Sequence, residues 1–334
     1  MTLIVGSKRL NLFRSCYCYA VFLLFCSLAG YSQSLQPPPQ PPASAGQFKI
    51  SVQTQMVALP VSVTDANGNF VSGLNVQNFR VYEDGRLQEV TSFQQGDTPV
   101  TVGLLVDHSR SMGPKLPEVA LAVFGFARSS NPHDELFVVD FNDDVSVELF
   151  GGRPFTNDPK ELAKAVSAVS ASGRTALYDA VAEGLFHLQL GHWDKKALII
   201  VSDGGDNASR QKYSQVLKLA QRSRVVIYSI GLVGANEEEN PLVLRRLCKD
   251  TGGIAYFPGS RQTVMDTSSQ IARDLREQYT LGFVPEKRTG GDSFRRIQVK
   301  VSASGRGKIR VRTRSGYSTA EEKQSPAQPG KSAS

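Results

Sequence analysis

Alternating hydrophobic and polar positions mark both ends of the folded part of the chain. From Phe48 to about Phe93, apolar and polar residues alternate, and Asn-Gly and Asp-Gly pairs separate the alternating runs. The alternation returns over Tyr279–Val284, Arg295–Val301 and Lys308–Arg314. A period of two residues places successive side chains on opposite faces of a strand, and Asn-Gly and Asp-Gly are typical of hairpin turns. Both flanks are therefore predicted to be β-structure.

Between these flanks, short β-rich runs alternate with amphipathic helical segments. The predicted strands are Val102–Val106, Leu136–Phe141, Val145–Leu149, Ala197–Val201, Val225–Ile230 and Ile254–Phe257. The predicted helices are Leu116–Ala127, Glu161–Val169, Thr175–Leu190, Ser214–Ser223, Pro241–Lys249 and Thr263–Glu277. This alternation is typical of an α/β fold, a doubly wound and mostly parallel sheet with helices on both faces, and Val145–Leu149 is expected to be a short antiparallel strand.

The two flanks, residues 47–96 and 279–317, hold too few strands for each to bury an apolar face alone. The α/β segment, residues 97–278, already has helices on both faces of its sheet, so it offers little surface to cover them. We therefore predict that the flanks pack together as a β-sandwich-like domain, with the α/β domain inserted between them in sequence.

The first 32 residues have the pattern of a signal peptide. Lys8, Arg9 and Arg14 precede an apolar run over Cys16–Leu28, and small residues follow. The run is shorter than the roughly 20 residues that a spanning helix needs, although an uncleaved anchor is the alternative. The chain is thus predicted to be exported to the periplasm, the cell envelope or the medium. Residues 33–46 form a Pro-rich linker, and residues 318–334 a polar tail that is predicted to be disordered.

The composition shows that positive charge is concentrated in the C-terminal flank. The chain has 334 residues, 40% of them hydrophobic and 21% charged, which is ordinary for a soluble globular protein. The formal charge of +7 falls to +4 without the three signal-peptide cations, yet residues 286–316 alone carry ten cations and two acids. Two predicted strands there are expected to be neighbours and to align seven of the cations on one face. They are Arg296, Lys300, Arg306, Lys308, Arg310, Arg312 and Arg314.

Three loops carry residues that suit a divalent cation. The first predicted strand of the α/β segment ends in Asp107-His-Ser109-Arg-Ser111, a carboxylate and two hydroxyls at every second position. Thr175 follows a glycine turn before a helix, and Asp203 follows another apolar strand. Ligands in open α/β sheets bind beyond the carboxyl ends of the strands, so these loops are expected at one sheet edge. Hard oxygen donors favour Mg²⁺ or Mn²⁺ over zinc.

The order and spacing of these motifs closely resemble the von Willebrand factor type A (VWA) family over roughly residues 100–278. The resemblance implies a metal-ion-dependent adhesion site in which Ser109, Ser111 and Thr175 coordinate the metal, while Asp107 and Asp203 hold coordinated waters or bind directly. The wider layout, with Phe-x-Val-Tyr-Glu-Asp-Gly before this segment and Phe-Arg-x-Ile after it, resembles the bacterial VWFA-related domain proteins.

A site of this composition is predicted to bind a partner and not to catalyse a reaction. Three neutral hydroxyls leave the charge of the metal weakly neutralised, so an open position should favour an Asp or Glu of a protein partner. No small-molecule substrate is expected. The alternatives are an envelope protein that binds polyanions through the basic strands and, more remotely, a Mg²⁺-dependent phosphohydrolase. Nucleic acid is disfavoured because no exposed aromatic residues accompany the cations.

Several nearby polar residues have simpler interpretations. Asp140, Asp143 and Asp144 are explained by a hairpin turn, and Glu237–Glu239 by a solvated loop. Asp206 is the exception, since it follows Asp203 closely enough to be a candidate supporting residue. His108 is the one candidate for a base beside the metal.

Overall fold

The protein is described from a computed structural model, which covers residues 56–234, 237–286, 294–303 and 305–318. The predicted signal peptide and Pro-rich linker lie outside these residues, as does the predicted tail beyond Ser318. In chain order the strands are β1 (Val57–Thr64), β2 (Phe79–Glu83), β3 (Arg86–Gln88), β4 (Val90–Gln94), β5 (Thr101–Asp107), β6 (Glu135–Phe141), β7 (Val145–Val147), β8 (Lys196–Ser202), β9 (Val226–Gly231), β10 (Ala255–Tyr256), β11 (Tyr279–Phe283), β12 (Phe294–Val301), β13 (Arg310–Arg312) and β14 (Gly316–Ser318). The helices are α1 (Leu116–Ser129), α2 (Pro159–Ser167), α3 (Leu177–His187), α4 (Tyr213–Ser223), α5 (Pro241–Thr251) and α6 (Arg261–Glu277).

The central sheet has the strand order β10-β9-β8-β5-β6-β7. All neighbours are parallel except β7, which runs antiparallel to β6. Every residue of β5 is buried, and its side chains alternate between two cores: Leu104 packs with residues of α1, α2 and α6, whereas Leu105 packs with residues of α3, α4 and α5. The predicted fold class, a mostly parallel sheet with helices on both faces, is confirmed.

Two antiparallel sheets are built from strands of both flanks. One has the order β13-β1-β11-β4 and the other β14-β12-β2-β3, so each sheet joins strands from before and after the central domain. Leu59, Phe79, Leu281 and Ile297 belong to one hydrophobic core, in which the rings of Phe79 and Tyr279 lie 5.1 Å apart. Antiparallel sheets formed from the flanks are thus part of the fold, as the strand count predicted.

The prediction of one basic face on two neighbouring strands is wrong. Strand β12 pairs with β2 and β14, whereas β13 pairs with β1 in the other sheet. Arg312 bonds the carboxylate of Asp274, and its Nη2 donates to Ser62 Oγ at 3.0 Å. Arg314 is only 3% exposed. Arg312 and Arg314 therefore contact the interior. Of the other five cations, Arg296 and Lys300 lie on β12, Arg310 lies on β13, and Arg306 and Lys308 lie in the connection between these strands.

None of the helices within the described ranges is long and apolar enough to cross a membrane.

Candidate metal centre

Strand β5 delivers Asp107 to the carboxyl edge of the central sheet. The side chain is fully buried, and each carboxylate oxygen has a donor: Oδ1 accepts from the Ser109 amide at 2.9 Å and Oδ2 from the Ser202 hydroxyl at 2.6 Å. Ser202 is the last residue of the adjacent β8, so this carboxylate ties the two neighbouring strand ends together. Asp107 is thereby held rigidly behind the loop that follows it.

The hydroxyls of that loop lie at a spacing that suits a small cation. Ser109 Oγ is 3.1 Å from Ser111 Oγ, and Ser111 Oγ donates to Asp203 Oδ2 at 2.8 Å. Adjacent ligands of an octahedral Mg²⁺, each about 2.1 Å from the metal, are separated by about 3 Å. Ser111 is the second residue of a 3₁₀ helix over Arg110–Lys115, and Ser109 is the residue that precedes this helix. The donor spacing and chemistry therefore fit Mg²⁺ or Mn²⁺.

Thr175 reaches the same place from the loop before α3. Its amide donates to Asn207 Oδ1 at 2.9 Å, and its carbonyl accepts from the amides of Asn207 and Ala208. Ser109, Ser111 and Thr175 all line one open cavity of about 710 Å³, together with Asn207 and Glu238. The structure thus brings the three predicted hydroxyl residues to one cavity.

The two predicted carboxylates lie behind these hydroxyls. Asp203 is 1% exposed, and its Oδ1 accepts from the Gly205 amide at 3.1 Å. Burial raises the pKa of Asp107 to about 6, and the charge of Asp203 adds to this rise, whereas hydrogen bonds from Ser109 and Ser202 oppose it. Two buried carboxylates so close together favour a positive charge in their vicinity.

The side chain of Lys115 places a positive charge near these carboxylates. Lys115 Nζ is 3.5 Å from Asp203 Oδ2 and 2.7 Å from Glu239 Oε1. Glu239 also accepts from the Gly234 amide, at 2.8 and 2.7 Å for its two oxygens. The interpretation of Glu237–Glu239 as wholly solvated is therefore wrong for Glu239, whose side chain is only 4% exposed.

His108, the candidate base, is buried beneath the loop. Its Nδ1 bonds Asp140, and its Nε2 lies 3.1 Å from the carbonyl oxygen of Val166 on α2. The His108 carbonyl accepts from the Ser172 amide at 2.9 Å. These contacts anchor the loop after β5 to β6, α2 and the Thr175 loop, and both ring nitrogens have partners that do not line the cavity. Asp140 takes part in this anchoring through its bond to His108, which its interpretation as a hairpin-turn residue did not predict.

Other polar residues of the site have structural roles. Asp206 Oδ1 accepts from the Tyr178 amide at 3.2 Å and from Ser209 Oγ at 2.5 Å, so it stabilises the first turn of α3. Asp143 accepts from the amide and Nε of Arg174 beside the cavity. Throughout the part of the chain that the structure describes, no group of three or more His, Cys, Asp or Glu residues could hold a metal. The candidate centre combines three hydroxyl residues with two buried carboxylates.

Sequence reasoning missed the contributions of Ser202, Asn207, Lys115 and Glu239. Ser202 directly precedes Asp203, so its place at the strand end was readable from the sequence. Lys115 lies one helical turn after Ser111, but its partner Glu239 is 124 residues away, and only the folded chain brings them together.

Comparisons with solved structures find matches at low sequence identity and with TM-scores below 0.5. A von Willebrand factor type A protein from Catenulispora acidiphila is 13% identical with a TM-score of 0.47, covering 81% of this chain and 76% of that one. An aerotolerance-related membrane protein from Bacteroides fragilis is 15% identical with a TM-score of 0.44, covering 52% and 98%. Manganese-loaded TRAP protein from Plasmodium vivax is 16% identical with a TM-score of 0.42, covering 70% and 96%.

The comparison with curated proteins gives no match. The von Willebrand factor type A domain family matches residues 102–274, which is just over half of the 334 residues. This chain belongs to the von Willebrand factor type A domain family.

Proposed function

We propose that this chain is an exported protein-binding module that holds Mg²⁺ or Mn²⁺ in its VWA domain and captures an acidic side chain of a protein partner. Ser109, Ser111 and Thr175 would hold the cation, with Asp107 and Asp203 behind them. The observation that carries the proposal is the cavity that these hydroxyls line, backed by two buried carboxylates. VWA domains are in general protein-interaction modules, which agrees with this role.

The bound cation would act as a Lewis acid toward a carboxylate oxygen of the partner. The residues of the chain supply the rest: neutral hydroxyls hold the cation without cancelling its charge, and the buried carboxylates keep it in place. A strongly neutralised site, with several carboxylates in direct contact, would attract a further carboxylate much less. The donor set therefore favours binding of an acidic group.

A hydrolase is supported less well. General-base catalysis needs a titratable group within hydrogen-bond reach of the attacking water. The His108 ring is instead occupied by Asp140 and by the Val166 carbonyl, beneath the loop. The polyanion-binding alternative is weakened by the separation of β12 and β13 into different sheets.

The exported location belongs to the same proposal. It depends on the first 32 residues, which lie outside the described part of the chain. Fractionation of cells that express the full chain, with detection of the mature N-terminus by mass spectrometry, tests it. Retention of the whole chain in the cytoplasm would contradict it.

Metal binding is tested by calorimetric titration of the full chain with Mn²⁺ and Mg²⁺. We expect Asp107→Ala to abolish binding and Ser111→Ala to weaken it by about tenfold or more, since each removes an oxygen near the cation. Ser146→Ala, an exposed serine on β7, is the matched control and should leave binding unchanged. A wild-type chain that binds neither ion, or unchanged binding in Asp107→Ala, would refute the proposal.

Partner binding is tested by capture from a bacterial envelope extract with and without EDTA. A metal-bridged carboxylate depends on the chelator, whereas a basic surface depends mainly on salt. Capture should vanish in EDTA and survive replacement of the exposed residues Lys308 and Arg310 by alanine. The reverse pattern would favour polyanion binding.

A further inference from the structure

The ammonium group of Lys115 lies beside the candidate metal centre. It extends from the 3₁₀ helix over Arg110–Lys115, one turn beyond Ser111. Its Nζ is 3.5 Å from Asp203 Oδ2, the same oxygen that accepts the Ser111 hydroxyl at 2.8 Å. A cation held by Ser111 would therefore share the Asp203 carboxylate with Lys115.

Burial strengthens the electrostatic effect of the Lys115 charge on the candidate metal centre. Exposed ion pairs contribute little because water screens them, but Asp203 and Glu239 have side chains only 2% and 4% exposed, and Lys115 only 20%. An ammonium group in this setting both neutralises Asp203 and repels a divalent cation nearby. Both effects lower the affinity for that cation.

Glu239 limits the influence of Lys115 on Asp203. It holds the ammonium group at 2.7 Å, closer than the 3.5 Å to Asp203, and the Gly234 amide orients its carboxylate. Gly234 lies against the Lys115 side chain, since a Cβ there would be 3.8 Å from Lys115 Cε. Glu239 and the Gly234 backbone therefore hold the ammonium group closer to Glu239 than to Asp203.

We infer that Lys115 and Glu239 form a tethered charge pair that sets the metal affinity of the candidate centre. Lys115 weakens binding by competing with the divalent cation for Asp203, and Glu239 restrains that competition. The centre then loads according to the external concentration of Mg²⁺ or Mn²⁺, which makes partner capture responsive to that concentration. This inference rests on the proposed metal binding.

The test is Mn²⁺ titration of the full chain, followed by calorimetry and by the electron paramagnetic resonance signal of free Mn²⁺. Lys115→Met should tighten binding by about tenfold, and Glu239→Gln should weaken it by roughly threefold to tenfold, because they shift the charge beside Asp203 in opposite directions. Lys115→Arg keeps the charge and should stay within about threefold of wild type. Lys160→Met, at an exposed position on α2, is the matched control.

The double variant Lys115→Met with Glu239→Gln tests whether Glu239 acts through Lys115. In that background the Glu239 substitution should lose most of its weakening effect. Thermal unfolding of each variant, followed by circular dichroism, identifies any that fail to fold. If Lys115→Met is one of them, Lys115→Gln, which also removes the positive charge, takes its place and should likewise tighten Mn²⁺ binding.

The outcomes separate the two proposals. Weaker binding in both Lys115→Met and Glu239→Gln would mean that the pair only supports the loop, and unchanged binding in both would mean that it has no influence. Either result overturns this inference while metal binding stands. If the wild-type chain binds no Mn²⁺, the proposed function fails and the inference fails with it.

Discussion

Replacing Arg295 tests whether the two flanks share one buried core. Arg295 on β12 and Glu83 on β2 are 212 residues apart in sequence, yet Nη1 of the arginine is 3.3 Å from both carboxylate oxygens. The Glu83 side chain is fully buried and that of Arg295 is 7% exposed, and the Tyr317 hydroxyl donates to Glu83 as well. Arg295→Met would leave this carboxylate with an uncompensated charge inside the sandwich.

The expected cost follows from that burial. Removal of one partner from a buried ion pair destabilises a protein by about 3–5 kcal/mol, because the remaining charge has lost both water and its counter-ion. Total stabilities of domains are about 5–15 kcal/mol, so this loss should move the urea midpoint substantially. Replacement of both partners, Glu83→Leu with Arg295→Met, should cost less than Arg295→Met alone, since no unpaired charge remains.

Urea denaturation, followed by fluorescence and by circular dichroism, measures these differences. Arg296→Met is the matched control: it is the next residue on β12, it is exposed, and it should change the unfolding free energy by less than about 0.5 kcal/mol. A loss below about 1 kcal/mol for Arg295→Met, or strict additivity of the two single substitutions, would refute the buried pair. The pairing of β2 with β12 would then be in doubt as well.

Three further predictions concern the rest of the chain. Burial lowers the pKa of Lys195 from 10.5 to about 8. Between pH 8 and pH 10.5 the unfolded chain therefore holds a proton that the folded chain has lost, so the free energy of unfolding rises with pH. Lys195→Met should remove this rise, which urea denaturation at pH 7.5 and pH 10 measures; an identical rise in the variant would contradict it. Gly103→Ala should cost about 1–3 kcal/mol in thermal unfolding, because a Cβ would lie 2.7 Å from Leu198 Cδ2; no loss would show that β5 tolerates the side chain. Arg312→Ala should destabilise the fold by about 3 kcal/mol, because Arg312 pairs with the buried Asp274. The salt dependence of its binding to a heparin column should stay that of the wild type. Weaker heparin binding in a variant of unchanged stability would instead assign Arg312 to a basic surface.

Features that depend on neighbouring residues could be predicted from the sequence. The alternation over β12 predicted one apolar face, because successive strand side chains point to opposite faces, and Ile297 and Val299 on that face are buried. The Asp-Gly pair predicted a tight turn, and Asp84 and Gly85 both have positive φ, at 47° and 80°. The three loops of the candidate metal centre could also be located, since parallel strands place their carboxyl ends at one sheet edge.

Features that depend on distant residues were decided only by the tertiary structure. The alternation in β12 and β13 indicates an inner and an outer face, but it carries no information about the neighbouring strand, and the two strands belong to different sheets. For the same reason the sequence assigned Arg312 to the surface, although Asp274 pairs with it inside the protein. Glu239 was interpreted from the sequence as part of a solvated loop, and no local motif singled out Lys115. The energy of a charge depends on burial and on its partners, which local sequence does not specify.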